Sequence, residues 1–193
     1  MIAAQPNEAI MNRTAVFASL VVIVASAASA TAQTTSPYAG QQQRTIKALS
    51  DQEIGDLLEG RGMGLAKAGE LNSYPGPLHV LQLAEQLELS DPQRAATNLL
   101  YSKMREQAIS IGGEIIEAER TLDRAFADGR IETATLRSQL DAIAILQGDL
   151  RAVHLETHFA QRSLLTPEQI SRYDALRGYR DNRTQHGGHR YGG

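Results

Sequence analysis

The chain has no cysteine and no tryptophan, and only 3 phenylalanines and 6 tyrosines among 193 residues. Without cysteine there is no disulfide to staple the fold, no thiolate nucleophile and no thiolate metal ligand, so stability must come from packing. Lysine is scarce and arginine supplies nearly all the positive charge. Acids and bases are mixed along the chain and the formal charge is only -3, which excludes the electrostatic footprint of a nucleic-acid binder. Outside the N-terminal apolar run, β-branched stretches are missing while Ala, Leu, Glu, Gln and Arg dominate, which points to helix. No G-x-S-x-G, phosphate-cradling glycine loop or H-E-x-x-H occurs, so the expectation is a protein that binds and is not an enzyme.

From Met11 the sequence reads "MNRTAVFASLVVIVASAASATAQ": one positive charge at Arg13, an apolar core from Ala15, then small residues ending in Ala30-Thr31-Ala32. That pattern predicts a secretory signal over residues 1–32, cut before Gln33. The acid Glu8 in the preceding stretch puts the expected translation start at Met11. The competing reading is an uncleaved anchor, since the run extended to Ala32 gives about 18 residues, the lower limit for a span; its Ala and Ser content and A-x-A end favour cleavage. Residues 33–48 read as a flexible polar leader, residues 49–180 as a helical domain, and residues 181–193, "DNRTQHGGHRYGG", as a disordered tail.

Within the domain one short pattern occurs three times. In "LTPEQ", Thr166 serves as N-cap, Pro167 stands at the first helical position, and Gln169 reaches back to the cap's backbone N–H, with Leu165 packing on Ile170. "LSDPQ", Leu89 to Gln93, has Ser90 and Gln93 in the same roles, and "LSDQE" has Ser50 and Glu53 with a Leu49–Ile54 staple. Three helix starts follow. After Ser90, the spacing of Leu100, Met104, Ile111, Ile115, Leu122 and Phe126 predicts a helix of roughly 35 residues, about 50 Å long, ending at "ADGR". After that turn, Leu136, Leu140, Ile143, Leu150, His154 and Thr157 predict a second helix of about 30 residues with a coiled-coil-like period. Two such rods joined by a tight turn are expected to pair antiparallel. Shorter helices are expected over Pro77–Glu88 and Pro167–Tyr179. Upstream, a helix through Ile54, Leu57, Leu65 and Leu71 is expected despite Gly60, Gly62 and Gly64. The fold class is therefore all-α, a long antiparallel hairpin with shorter flanking helices.

The two elements Leu89-Ser90-Gln93 and Leu165-Thr166-Gln169, bracketing a long hairpin behind a signal peptide, resemble the L-T-x-x-Q signature of the Spy/CpxP family of periplasmic proteins. The resemblance covers about Pro77 to Tyr179. It implies periplasmic localisation and a homodimeric cradle. It also implies one of two functions: ATP-independent chaperoning of unfolded client proteins under stress, or, in the CnrX-like branch, heavy-metal sensing and resistance, with a membrane-bound signalling partner.

Metal candidates are read from the histidines. "HLETH" puts His154 and His158 one helical turn apart, able to share an ion. The bland alternative is that His154 is a hydrogen-bonded seam residue and His158 is solvated. His79 resembles the upstream histidine of the metal-sensing branch, although its i+4 neighbour is Leu83, and "HLETH" ends in His where that branch has Met. With Glu156 or Glu85 the three histidines form a candidate site for nickel, cobalt, copper or zinc. His186 and His189 of the tail offer a weak site or a bare polar end, while isolated Met63 and Met104 read as packing residues. For a chaperone, Ile109, Ile116 and Ile145 lie off the main seam among Arg105, Arg120, Arg124, Arg137 and Arg151, and form a candidate client surface; burial against short helices or a second copy is the alternative. The seam itself is expected to offer no pocket for small-molecule chemistry.

Overall fold

The computed structural model describes residues 35–179; the expected signal peptide and the tail with His186 and His189 lie outside the described residues. All elements belong to the unit Tyr38–Gly193. Six α-helices and no strand occur among the described residues: α1 Asp51–Leu58, α2 Lys67–Glu70, α3 Pro77–Gln82, α4 Asp91–Ala127, α5 Thr133–Leu164 and α6 Pro167–Leu176. None is long and apolar enough to cross a membrane. The two long helices have 37 and 32 residues, and they pack along each other with Gln161 of α5 bonded to Thr97 of α4 at 3.1 Å.

All three expected capping boxes are formed, with Ser50, Ser90 and Thr166 each accepting from the N3 backbone while the N3 side chain returns to the cap. Each cap is worth about 1 kcal/mol. Two of the boxes are also joined to each other. Gln93 Nε2 donates to Gln169 Oε1 at 2.8 Å and Gln169 Nε2 donates to Gln93 Oε1 at 3.1 Å. The second N–H of Gln93 goes to the Leu164 carbonyl at 2.8 Å, and that of Gln169 to the Leu87 carbonyl at 3.1 Å. The two amides thus have their donors and acceptors filled, and they lock the starts of α4 and α6 to the end of α5 and the loop before α4.

Two apolar clusters hold the remaining elements. Ile46, Leu57, Ala108, Ile115, Ile116 and Leu150 form the first, with Leu49 and Ile54 packed on it. Val80, Ala84, Leu87, Leu89, Leu165 and Tyr173 form the second, with Ile170 against it. The seam is buried through its middle, at Ile115, Ile143 and Leu150, but runs out at the turn, where Phe126 and Leu140 are 55% and 43% exposed.

Four expectations change. The leader is not free throughout: Ile46 is fully buried in the first cluster, and Lys47 donates its backbone N–H and its Nζ to the Asp123 carboxylate of α4 at 3.2 and 3.0 Å. The helix expected to run through three glycines is broken into α1 and α2. Gly60 adopts φ +65°, and a Cβ there would stand 2.9 Å from the Arg105 carbonyl, so the chain turns where only glycine fits. The helix expected to reach Glu88 stops at Gln82; Glu88 takes a left-handed φ of 52° and Leu89 N–H closes on the Ala84 carbonyl. The last helix ends at Leu176, with Gly178 left-handed at φ 72° and Tyr179 N–H on the Asp174 carbonyl.

Replacing Gln93 by Glu keeps an acceptor for the Ser90 N–H but removes both donors and leaves oxygens facing the Leu164 carbonyl and the Gln169 amide. A loss of about 1–3 kcal/mol is expected for Gln93→Glu, against about 1 kcal/mol for Ser90→Ala, both read from urea midpoints. Equal losses would reduce the glutamine to a capping residue.

Candidate functional site: a histidine-lined cavity

The long helices and the segments covering them line a cavity of about 640 Å³ that is open to solvent. From the long helices its lining includes Met104 of α4, 7% exposed, and His154 of α5, 2% exposed. The glycine-rich loop Gly60–Gly64 and α2 contribute one side, α3 and the segment before it another. Gly60, Met63 and Gly64, all with positive φ, form the turn that borders the cavity. The expectation of a pocketless seam concerned the two long helices alone; this space lies where a third layer crosses them.

His79, His154 and His158 all line this cavity. His158 is the most firmly placed. Its Nδ1 lies 2.8 Å from the Tyr74 carbonyl, which can only accept, so Nδ1 carries the proton and Nε2 keeps its lone pair in the neutral ring. Gly76 makes room for it, since a Cβ there would stand 2.8 Å from Nε2. His154 has no hydrogen-bond partner at Nε2. Burial, and then the neighbouring His158, lower its pKa from the ordinary histidine value, so the ring is neutral near pH 7. His79 turns to its own helix, with Nδ1 2.9 Å from Gln82 Oε1. Among the described residues no three His, Asp or Glu side chains are grouped to hold a metal ion. The expected carboxylates do not join either: Glu85 is tied to Arg94 at 2.9 Å, and Glu156 is exposed. Met63 and Met104, read as packing residues, both border the cavity.

The carboxylate that sequence reasoning missed is Glu70, on the four-residue α2. Its Oε1 accepts from the hydroxyls of Tyr173 at 2.5 Å and Tyr179 at 3.0 Å, and its Oε2 accepts from Gly76 N–H at 3.1 Å and lies 3.6 Å from His158 Nδ1. Burial and the Glu70 carboxylate push the Tyr173 hydroxyl far above its usual pKa, which keeps it a donor. One side chain thus ties α2, the loop before α3, α5 and α6 together. Nothing local in "KAGEL" announces this, because its partners lie up to 109 positions away.

The candidate client residues separate. Ile145 is 64% exposed. Ile109 is half-buried against Gly60. Ile116, 4% exposed, is a core residue and is withdrawn as a client contact. It falls one turn after Gly112, where a Cβ would stand 2.5 Å from the Leu57 carbonyl; α1 lies directly on that face. Arg105 donates Nε–H to the Glu59 carbonyl at 3.2 Å at the cavity's edge, and Arg120 pairs with Glu117. Compared with family models, curated proteins and solved structures, the chain finds no match. The likeness to Spy/CpxP proteins therefore rests on the two boxes and the helices they bracket.

His154 gives the site a pH dependence of defined sign. Its folded pKa lies below the unfolded value of about 6.5, so its contribution to stability is complete above that pH and is lost as pH falls towards the folded pKa. Each unit of depression is worth about 1.4 kcal/mol. With EDTA present, the thermal midpoint should fall between pH 7.5 and 5.5, and should fall less in His154→Gln. Parallel falls in both proteins would assign the titration to groups other than His154.

Proposed function

We propose that this protein is a periplasmic, Spy/CpxP-like stress protein that binds unfolded proteins without ATP and without catalysis. The observation that supports this reading is the apolar surface left on the long helices: Leu99, Phe126, Leu140, Ile145 and Phe159 are 56%, 55%, 43%, 64% and 65% exposed. Ile145 and Phe159 project from the side of α5 away from its buried residues, about 21 Å apart along the axis, with exposed Arg137 and Arg151 on the same helix. Such a surface gives an unfolded chain apolar contact while the guanidiniums attract its acids, so holding is loose and sequence-tolerant. In this reading α4 and α5 form an antiparallel hairpin, and two copies make a homodimeric cradle.

The cavity favours a second reading, a heavy-metal sensor or resistance protein reporting to a membrane-bound partner. His158 donates its Nδ1–H to a backbone carbonyl, the support that a ligating histidine commonly has, and His154 stands one turn away with an unpartnered Nε2. The two rings would supply two ligands, half of a tetrahedral set. A divalent nickel, cobalt, copper or zinc ion there would supply Lewis acidity and a charge able to change how the covering segments pack.

Under the first reading the purified protein suppresses aggregation of an unfolding client at near-stoichiometric ratio without ATP, and Ile145→Ser with Phe159→Ser removes most of that protection while lowering the thermal midpoint only by what the Phe159–Tyr74 stacking contributes, about 1 kcal/mol. Full protection by the double variant, or none by the parent, would remove the reading. Under the second, calorimetric titration with the four ions shows binding that is lost in His154→Ala with His158→Ala; curves indifferent to the double change would dismiss the helix site.

A further inference from the structure

The leader ahead of α1 shows what one face of α4 accepts. Of residues 35–48 only Ile46 is buried, and it is buried completely, in one cluster with Leu57 of α1, Ala108, Ile115 and Ile116 of α4, and Leu150 of α5. The next residue is held by charge. Lys47 gives its backbone N–H to Asp123 Oδ1 at 3.2 Å and its Nζ to Asp123 Oδ2 at 3.0 Å, so one carboxylate grips both the main chain and the side chain of a single residue. Ile116 and Asp123 are seven positions apart on α4, two turns along the same face. That face therefore offers an apolar floor with a carboxylate at its edge, and the Asp123 side chain is only 15% exposed beneath Lys47. The rest of the leader covers little. Gln41–Gln43 form a single 3₁₀ turn that buries no residue and has no side-chain cap, and Tyr38 is 72% exposed.

We infer that this face of α4 is a docking site for a peptide segment carrying an apolar residue followed by a basic one, and that the leader occupies it in place of such a segment. The inference rests on the reading of the protein as a binder of unfolded chains, whose exposed stretches supply the segment. Each element of the preference has a cause. The apolar side chain takes the position of Ile46 in the cluster, the positive charge answers Asp123 in a charge-assisted hydrogen bond, and the bond from the main-chain N–H is the same for every sequence. A leader tethered a few residues from its site has an effective concentration of the order of millimolar. A separate segment is therefore held weakly while Ile46 and Lys47 are seated, and more tightly once they are displaced.

A fluorescent peptide copying residues 41–48, QQQRTIKA, tests this by anisotropy, beside a second peptide in which glutamate replaces the lysine. The titrated proteins are the parent, Ile46→Ser with Lys47→Ser, and that double variant with Asp123→Asn added. The lysine peptide is expected to bind the double variant about tenfold or more tighter than the parent, and to lose most of that gain when Asp123 is neutralised. The glutamate peptide should bind none of them. Lys47→Glu alone is the second variant, for the case in which circular dichroism shows the double change to disturb the helices: its side chain is 50% exposed, it breaks only the grip on Asp123, and a smaller gain in the same direction is expected. Equal affinity of parent and leader variants for the lysine peptide, or equal affinity of the two peptides, would overturn the inference. Suppression of client aggregation, measured on the same samples, separates the two claims. Protection by the parent without a gain in peptide binding would remove the docking face alone, while the expected peptide binding with no protection by any of the proteins would remove the chaperone reading and leave the docking face in place.

Discussion

Two glutamine amides, 76 positions apart in the chain, exchange hydrogen bonds and then each give their remaining N–H to a backbone carbonyl of the other's neighbourhood. An amide is suited to this because it carries donors and an acceptor on one planar group, so each can cap its own helix with the oxygen and bind across with the nitrogen. A carboxylate could make the first bond but not the second. Through this exchange the start of α4, the end of α5 and the start of α6 are fixed at one end of the long pair. Leu89 and Leu165, the residues before the two caps, enter the same apolar cluster as Tyr173.

That fixed end places the rest. With α6 held, Tyr173 stands fully buried, and its hydroxyl meets Glu70, which in turn grips the backbone at Gly76 beside His158. A short α2 of four residues has too few internal hydrogen bonds to stand alone, so its position depends on this carboxylate. The middle of α4 is governed by shape instead: Gly112 allows the Leu57 carbonyl to approach the helix backbone. Between an end locked by hydrogen bonds and a middle locked by close packing, the glycine-rich loop spans the gap without filling it. His154 and Met104 face what remains.

The long helices and their starts were legible in the sequence because they depend on neighbours three and four positions away. Caps, prolines at the first turn and the spacing of Leu, Ile and Met are all local. The covering elements were less so. Ile46 looked like part of a polar leader because nothing in "QQQRTIKAL" shows what lies opposite it, and Ile116 looked exposed because a two-helix seam has only one buried face. The candidate histidines were legible as residues, and His79, His154 and His158 do border one space, but Glu70, Lys67 and Tyr101 carried no signal of belonging with them.

The sequence by itself determined an all-helical chain, where its principal helices begin, and which residues could ligate or cap. Those properties follow from backbone hydrogen bonding and side-chain reach within a turn or so of the chain. Only the tertiary structure decided that the two capping glutamines pair, that one isoleucine is core while another is surface, and that three histidines line one cavity. Each of those outcomes depends on a third layer laid across the long helices, and its position is set by contacts between residues tens of positions apart, which no local pattern encodes.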